Sequence, residues 1–372
     1  MRAVFEVLMR TSALVYFLPS TRSKIYEIAR NFMDHRNVWA IVLAGGEGTR
    51  VRSFLKQVCG GSGLKQFSTI IGERSMLRCT LDRIGRRIPA ERTLIVVGSH
   101  HRAEVEKELN HWPRQNIIFQ PANRDTAPGI LLPLAHVTDR DPDATVAVFP
   151  SDHFILDEER FMGAVDKALQ DAKVNPSKMV LLGMTPQAGE ESEYGYIKVA
   201  RKPGTSETRA VSGFIEKPPL PRAKKLIQQG ALWNTMVFAA YNLALWEMVK
   251  QTAPALYHAF RLVQMTLRNS HSTRVLDHVY EIIPSVNFSS AICQPLANRL
   301  RVLPVADVGW SDWGTVGSIL RTLRKLGRFD AISARLEESP LAPAWHPFNG
   351  FGNAAELDRL FLQSGASAAK SI

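Results

Sequence analysis

From Val38 onward, short β-branched apolar runs alternate with amphipathic stretches. "VWAIVLAG", "RTLIVVG", "NIIFQP" and "ATVAVFPSD" read as strands, and "SMLRCTLDRIGRRI", "HRAEVEKELN", "APGILLPLAHVT" and "EERFMGAVDKALQDA" fall between or after them. A strand buried on both faces shows little polar alternation, and a helix between two such strands carries the chain back for parallel pairing. This order predicts an α/β fold with a mostly parallel sheet and helices on both faces. After "MVLLGM" the texture shifts to the alternating strands "YGYIKVA" and "AVSGFIEKP", then "WNTMVFAA" and one long helical stretch from about Leu243 to Ile283. A last strand, "LRVLPVA", leads to a helix opening after Gly314.

Three segments follow. Residues 1–36 read as a helical extension, residues 37–328 as the main domain, and residues 329–372 as an irregular tail rich in Ala, Ser, Pro and Gly. The longest clean apolar run near the N-terminus, Ala13 to Pro19, is too short to span a bilayer, so no stable membrane insertion is expected. Cys59, Cys79 and Cys293 lack paired spacing, and a reducing cytoplasm is the expected setting. Forty-six basic against 35 acidic residues give +11, which suits an anionic partner. No nucleic-acid motif accompanies the basic stretch "RTLRKLGR", so the charge is assigned to small anionic substrates.

The stretch "LAGGEGTRVRSFLKQVCGGSGLKQF", Leu43 to Phe67, is the natural place for such an anion. It fails as a Walker A loop because Gly63 leads to Leu64, Lys65 and Gln66 without the required Gly-Lys-Ser/Thr. It fails as a dinucleotide fingerprint because Val51 occupies the third glycine position. What remains is G-G-x-G-T-R at Gly45 to Arg50, followed by K-Q-F at Lys65 to Phe67. Consecutive glycines allow backbone N–H groups to turn around a polyphosphate, and Arg50 and Lys65 add formal charge. The competing reading is a surface loop with solvated basic side chains. His100, His101 and His153 lie near the strand ends, but no third ligand stands at suitable spacing, so they are not expected to bind metal.

Eight segments in order, "LAGGEGTR", "LKQF", "QPANRDTAPGILLPL", "VAVFPSDHFI", "YGYIKV", "GFIEKP", "WNTMVF" and "VGWSDWGT", resemble the sugar-1-phosphate nucleotidylyltransferases, and within them the mannose-1-phosphate guanylyltransferases. The resemblance runs from Val38 to about Leu326. It implies a Rossmann-like core and Mg²⁺-dependent attack of a sugar-1-phosphate on a nucleoside triphosphate, GTP and mannose-1-phosphate being the implied pair. Catalytic roles then fall to Arg50 and Lys65. Nucleotide binding falls to Leu43, Ala44, Gly45, Gly46, Gly48, Thr49, Gln120 and Thr126. The sugar phosphate falls to Gly195, Glu216, Lys217 and Asn234, and the metal to Asp152 and Asp312. Read from spacing alone, both aspartates are equally helix N-caps, and Glu216 with Lys217 an exposed salt bridge.

The chain departs from the family pattern at several points. Gln120 stands where guanylyltransferases commonly have Glu, and an amide offers one accepting oxygen where a carboxylate offers two. Thr235 and Met236 replace the usual Ser and Gly. Val51, Arg52, Ser53 and Leu64 replace a pattern containing prolines, from which a more flexible loop is expected. Two alternatives stay open: the same chemistry on another NTP or sugar phosphate, and a non-catalytic sensor of nucleotide sugars. Trp310 and Trp313, flanking Asp312, are expected to be wall or core.

Overall fold

Strand β1 (Val38–Leu43) is apolar throughout, and both of its faces are covered. Val38, Ala40 and Val42 enter one core, while Trp39 and Ile41 enter the other. The computed structural model describes residues 37–187, 192–200 and 207–329; the readings for residues 1–36 and 330–372 lie outside them. β1 pairs in parallel with β2 (Thr93–Gly98) and β4 (Thr145–Pro150), and β2 pairs in parallel with β3 (Ile117–Gln120). This half of the sheet is the parallel array that the apolar runs predict.

The other half corrects the prediction. β8 (Leu232–Tyr241) runs antiparallel to β4 and to β5 (Met179–Met184). β9 (Leu300–Val305) is parallel to β5, whereas β7 (Arg209–Ile215) opposes β9 and β6 (Tyr196–Val199) opposes β7. β6 also pairs antiparallel with Leu232 and Trp233 of β8, so β8, β5, β9, β7 and β6 close into a ring. Among the described residues five of the nine pairings are antiparallel, and the sheet is mixed. The polar alternation of "AVSGFIEKP" marks this change, because a strand with one face toward water suits antiparallel pairing.

Helices cover both faces. On the Trp39 side lie α4 (Thr126–Arg140), α7 (Asn242–Thr252), α8 (Pro254–Thr266) and α9 (Ser272–Ile282). On the Val38 side lie α2 (Met76–Gly85), α3 (Arg102–Glu108), α5 (Glu158–Val174) and α6 (Leu220–Gln228). The helical stretch expected from about Leu243 to Ile283 is divided into three helices. Pro254 cannot continue a helix, and it holds Ala253 at φ −141° and ψ 63°.

α1 (Thr49–Cys59) turns the first part of the expected loop into a helix and leaves only residues 60–64 before Lys65 as loop. Val51, Phe54, Leu55 and Val58 recur at helical spacing and are buried, and without proline each residue of the run retains its N–H. They pack against Val316, Ile319, Leu320 and Leu323 of α10 (Val316–Lys325) in a third core. Among the described residues no helix is long and apolar enough to cross a membrane, and Cys59, Cys79 and Cys293 form no disulfide.

His136 on α4 gives the fold an acid sensitivity. Burial, reinforced by Arg140 and opposed by Asp139, lowers its pKa from 6.5 to about 4. Between these values the unfolded chain holds a proton that the folded chain refuses. Stability is therefore complete above pH 6.5 and declines as pH falls toward 4, by roughly 3 kcal/mol in total. Urea unfolding from pH 7 to 4 should show that decline, and a His136→Gln variant should show less of it; equal slopes would remove His136 as its source.

Candidate functional site

The strand order reverses direction beside β1. The chain passes from β1 outward to β2 and β3, then returns to place β4 on the other side, and at such a point a crevice opens beyond the carboxyl ends. The Ser151 N–H after β4 donates to the Leu43 carbonyl at the end of β1 (3.1 Å), which sets the glycine loop beside Asp152. Gly48 caps α1 at φ 57° without a side-chain cap, leaving the first-turn N–H groups available to an anion. Gln66 Nε2 donates to the carbonyls of Ala44 (3.0 Å) and Gly46 (2.9 Å), so a side chain outside the loop fixes its shape.

A cleft of about 480 Å³ opens at this loop, with Leu43, Gly45, Gly46, Gln120 and Thr126 among its lining. Gly45 has no room for a side chain: a Cβ there would stand 2.4 Å from Gln120 Nε2. Gln120 is 4% exposed, and its Oε1 has no hydrogen-bond partner among the described residues. The Thr126 hydroxyl accepts from the Phe288 N–H (2.8 Å), tying α4 to the far wall. Ala44 lies behind the loop in the core, and Gly48 and Thr49 stand at the helix start.

Lys65 is the hub of the other side. Only 6% exposed, it places Nζ 2.8 Å from Asp152 Oδ2 and donates to the Asp312 main-chain carbonyl. Burial disfavours the Asp152 carboxylate, yet the charges of Lys65 and His153 hold its pKa below the ordinary value. His153 is pushed down to about 4, chiefly by burial, and the Trp310 indole donates to its Nδ1 at 3.2 Å, which suits a neutral ring. Asp312 Oδ1 accepts from the Tyr194 hydroxyl (2.7 Å) and the Gly314 N–H (3.0 Å). Arg50 pairs with Glu193 and reaches Gly314, where a Cβ would meet Arg50 Nη2 at 3.0 Å and Asp312 Oδ2 at 2.5 Å. The aspartates are not helix caps; Asp157 caps α5 and Thr315 caps α10. Trp310 and Trp313 are buried wall, 7% and 0% exposed.

Gly195, Glu216 and Asn234 form a second cluster at the ring. The Asn234 N–H donates to the Gly195 carbonyl (2.8 Å), and a Cβ on Gly195 would lie 2.5 Å from Glu216 Oε2. That oxygen is buried without a partner among the described residues, and burial raises the Glu216 pKa while Lys217 opposes it. The exposed salt bridge is not what forms. Lys217 is exposed at φ 41°. Met236 takes φ 58°, a conformation in which glycine is unstrained, so its side chain is held there at a cost of about 1 kcal/mol.

Residues 39–328 match a family model described as nucleotidyl transferase. The chain belongs to that family. Among its relatives, the xanthan biosynthesis protein XanB of Xanthomonas campestris is 32% identical over 300 residues, 79% of this chain and 61% of the relative. Mannose-1-phosphate guanylyltransferase ManC of Salmonella typhimurium is 30% identical over 299 residues, 77% of this chain and 60% of the relative. The chain thus spans about three fifths of the length of these relatives. A Thermus thermophilus crystal structure titled "mannose-1-phosphate geranyltransferase" superposes with a TM-score of 0.66 at 28% identity, covering 77% of this chain and 79% of that one.

Sequence reasoning missed the supporting residues of this candidate site. Gln66 stood unremarked between Lys65 and Phe67, and Tyr194 beside Gly195. Their partners lie 20 to 22 and 118 residues away, so only the short quoted segments carried any signal.

Proposed function

We propose that this chain transfers a nucleotidyl group from an NTP to a sugar-1-phosphate, with GTP and mannose-1-phosphate as the pair. The observation that carries the reading is the convergence of Arg50, Lys65, Asp152 and Asp312 beside a glycine loop and an uncapped helix start. Family membership and the similarity to the Salmonella mannose-1-phosphate guanylyltransferase support it.

A sugar-phosphate oxygen attacks the α-phosphorus, and the bond from that phosphorus to the pyrophosphate oxygen breaks. No side chain becomes covalently attached. The protein's task is alignment and charge neutralisation. The loop amides and the start of α1 hold the triphosphate, Arg50 and Lys65 counter the charge that develops on phosphate oxygens, and Gln120 meets the base edge in the cleft. Glu216 accepts from sugar hydroxyls, Asn234 donates to one, Gly195 leaves backbone space, and Lys217 meets the sugar phosphate. Asp152 and Asp312 supply oxygen donors alone, a set that fits Mg²⁺. When bound there, the ion draws charge from phosphate oxygens and lowers their mutual repulsion.

Pyrophosphate release across a matrix of NTPs and sugar-1-phosphates with Mg²⁺ tests the reading. GTP with mannose-1-phosphate should give the highest kcat/KM. Nucleotide binding with no turnover for any pair would leave a sensor instead. Gln120→Glu adds a second acceptor for the guanine N1–H and amino group, and should raise the GTP-to-ATP ratio about tenfold. An unchanged ratio would detach Gln120 from the base.

A further inference from the structure

His100 and His101 follow β2, and the sequence around them offers no third ligand at suitable spacing. The fold supplies one. Glu47, between Gly46 and Gly48 in the glycine loop, turns Oε1 toward both rings, 2.6 Å from His100 Nε2 and 3.6 Å from His101 Nε2. One ligand atom from each side chain lies within 4.8 Å of the others. Tetrahedral ligands at zinc bond lengths stand about 3.3 Å apart, so small side-chain rotations bring the three into register.

His101 adds an independent observation. It is 2% exposed, and neither ring nitrogen has a hydrogen-bond partner among the described residues. A buried polar group left in that state costs about 1–3 kcal/mol, and a cation on Nε2 relieves that cost at the lone-pair nitrogen. Burial, with His100 adding to it, lowers the His101 pKa, so the ring stays neutral and keeps a lone pair. The Phe67 ring meets it edge-on at 5.9 Å and fixes its plane. Arg52 approaches the other Glu47 oxygen, Oε2, at 3.5 Å and leaves Oε1 to the histidines. The His100 side chain is 50% exposed, which gives an entry path from solvent.

We propose that Glu47, His100 and His101 bind a borderline-soft divalent cation of the zinc class, at a site separate from the Asp152 and Asp312 carboxylates. Two imidazoles with one carboxylate favour zinc over magnesium, whose preference is for oxygen and water. Three protein ligands leave a fourth position for water. Because Glu47 belongs to the glycine loop, occupancy neutralises a carboxylate placed among amides suited to an anion.

The test is titration of Co²⁺, a visible-absorbing stand-in for Zn²⁺, into the metal-free full chain with millimolar Mg²⁺ present. One equivalent should bind with a visible band, Zn²⁺ should displace it, and Mg²⁺ should not. His100→Gln, an exposed change that spares the core, should weaken binding at least tenfold, whereas Asp312→Asn should leave it unchanged. Absence of saturable binding, displacement by Mg²⁺, equal affinity in His100→Gln, or loss in Asp312→Asn would each overturn the proposal. None of these results bears on whether the chain transfers nucleotides, which the turnover matrix decides separately.

Discussion

Lys65→Met should lower turnover by about 10²- to 10³-fold, the cost of losing one well-placed donor to developing charge. The side chain is nearly fully buried, and it pairs with Asp152 and donates to the main chain of Asp312, 247 residues beyond Lys65 in sequence. Methionine keeps the length and the packing and removes only the ammonium. The Asp152 carboxylate then loses the partner that offsets its burial, and its pKa rises. Activity of the variant should therefore depend on pH in a range where the parent is flat. Pyrophosphate release at saturating substrates measures the first effect, and near-ultraviolet circular dichroism checks the fold. A folded variant within threefold of the parent would remove Lys65 from the chemistry.

Asp312→Asn should produce a loss of similar size for a different reason. Its Oδ1 accepts from Tyr194 and the Gly314 N–H, and an asparagine oxygen keeps both contacts. The change falls on Oδ2, which becomes an NH₂ group and ceases to be a metal ligand. Turnover should fall about 10²-fold or more, and the Mg²⁺ concentration for half-maximal activity should rise. The melting temperature should stay close to that of the parent. Full activity with an unchanged Mg²⁺ requirement would take Asp312 out of the proposed metal site.

Much of the parallel half was legible because its strands are short, apolar and separated by helical stretches. The runs around Val38, Leu94 and Val146 needed no knowledge of distant partners. The mixed ring of β5 to β9 was not legible in that way. Its closure depends on Tyr196 meeting Trp233 and on Met179 lying beside Leu300, pairings that no local period specifies. The site divides similarly. Lys65 and the two aspartates stood out through the segments around them, but nothing in the sequence indicates that Lys65 contacts both aspartate positions. Glu47 was visible only as the variable residue of a glycine loop, and its approach to His100 belongs to the folded chain. α1 was hidden because its apolar face, Val51, Phe54, Leu55 and Val58, is short and is flanked on both sides by glycine-rich segments.

α10, the last described helix, packs on α1, the first, and Asp312 lies just ahead of it. On the ribosome the chain emerges in the opposite order of need. The pairings among β1 to β4 can form once residue 150 has appeared, while the β5 to β9 pairing waits for residue 300. A nascent or truncated chain can thus possess the cleft and its glycine loop while lacking a carboxylate of the proposed metal site and the cover for the apolar face of α1. Such a fragment would present that face to quality control before it could consume any substrate.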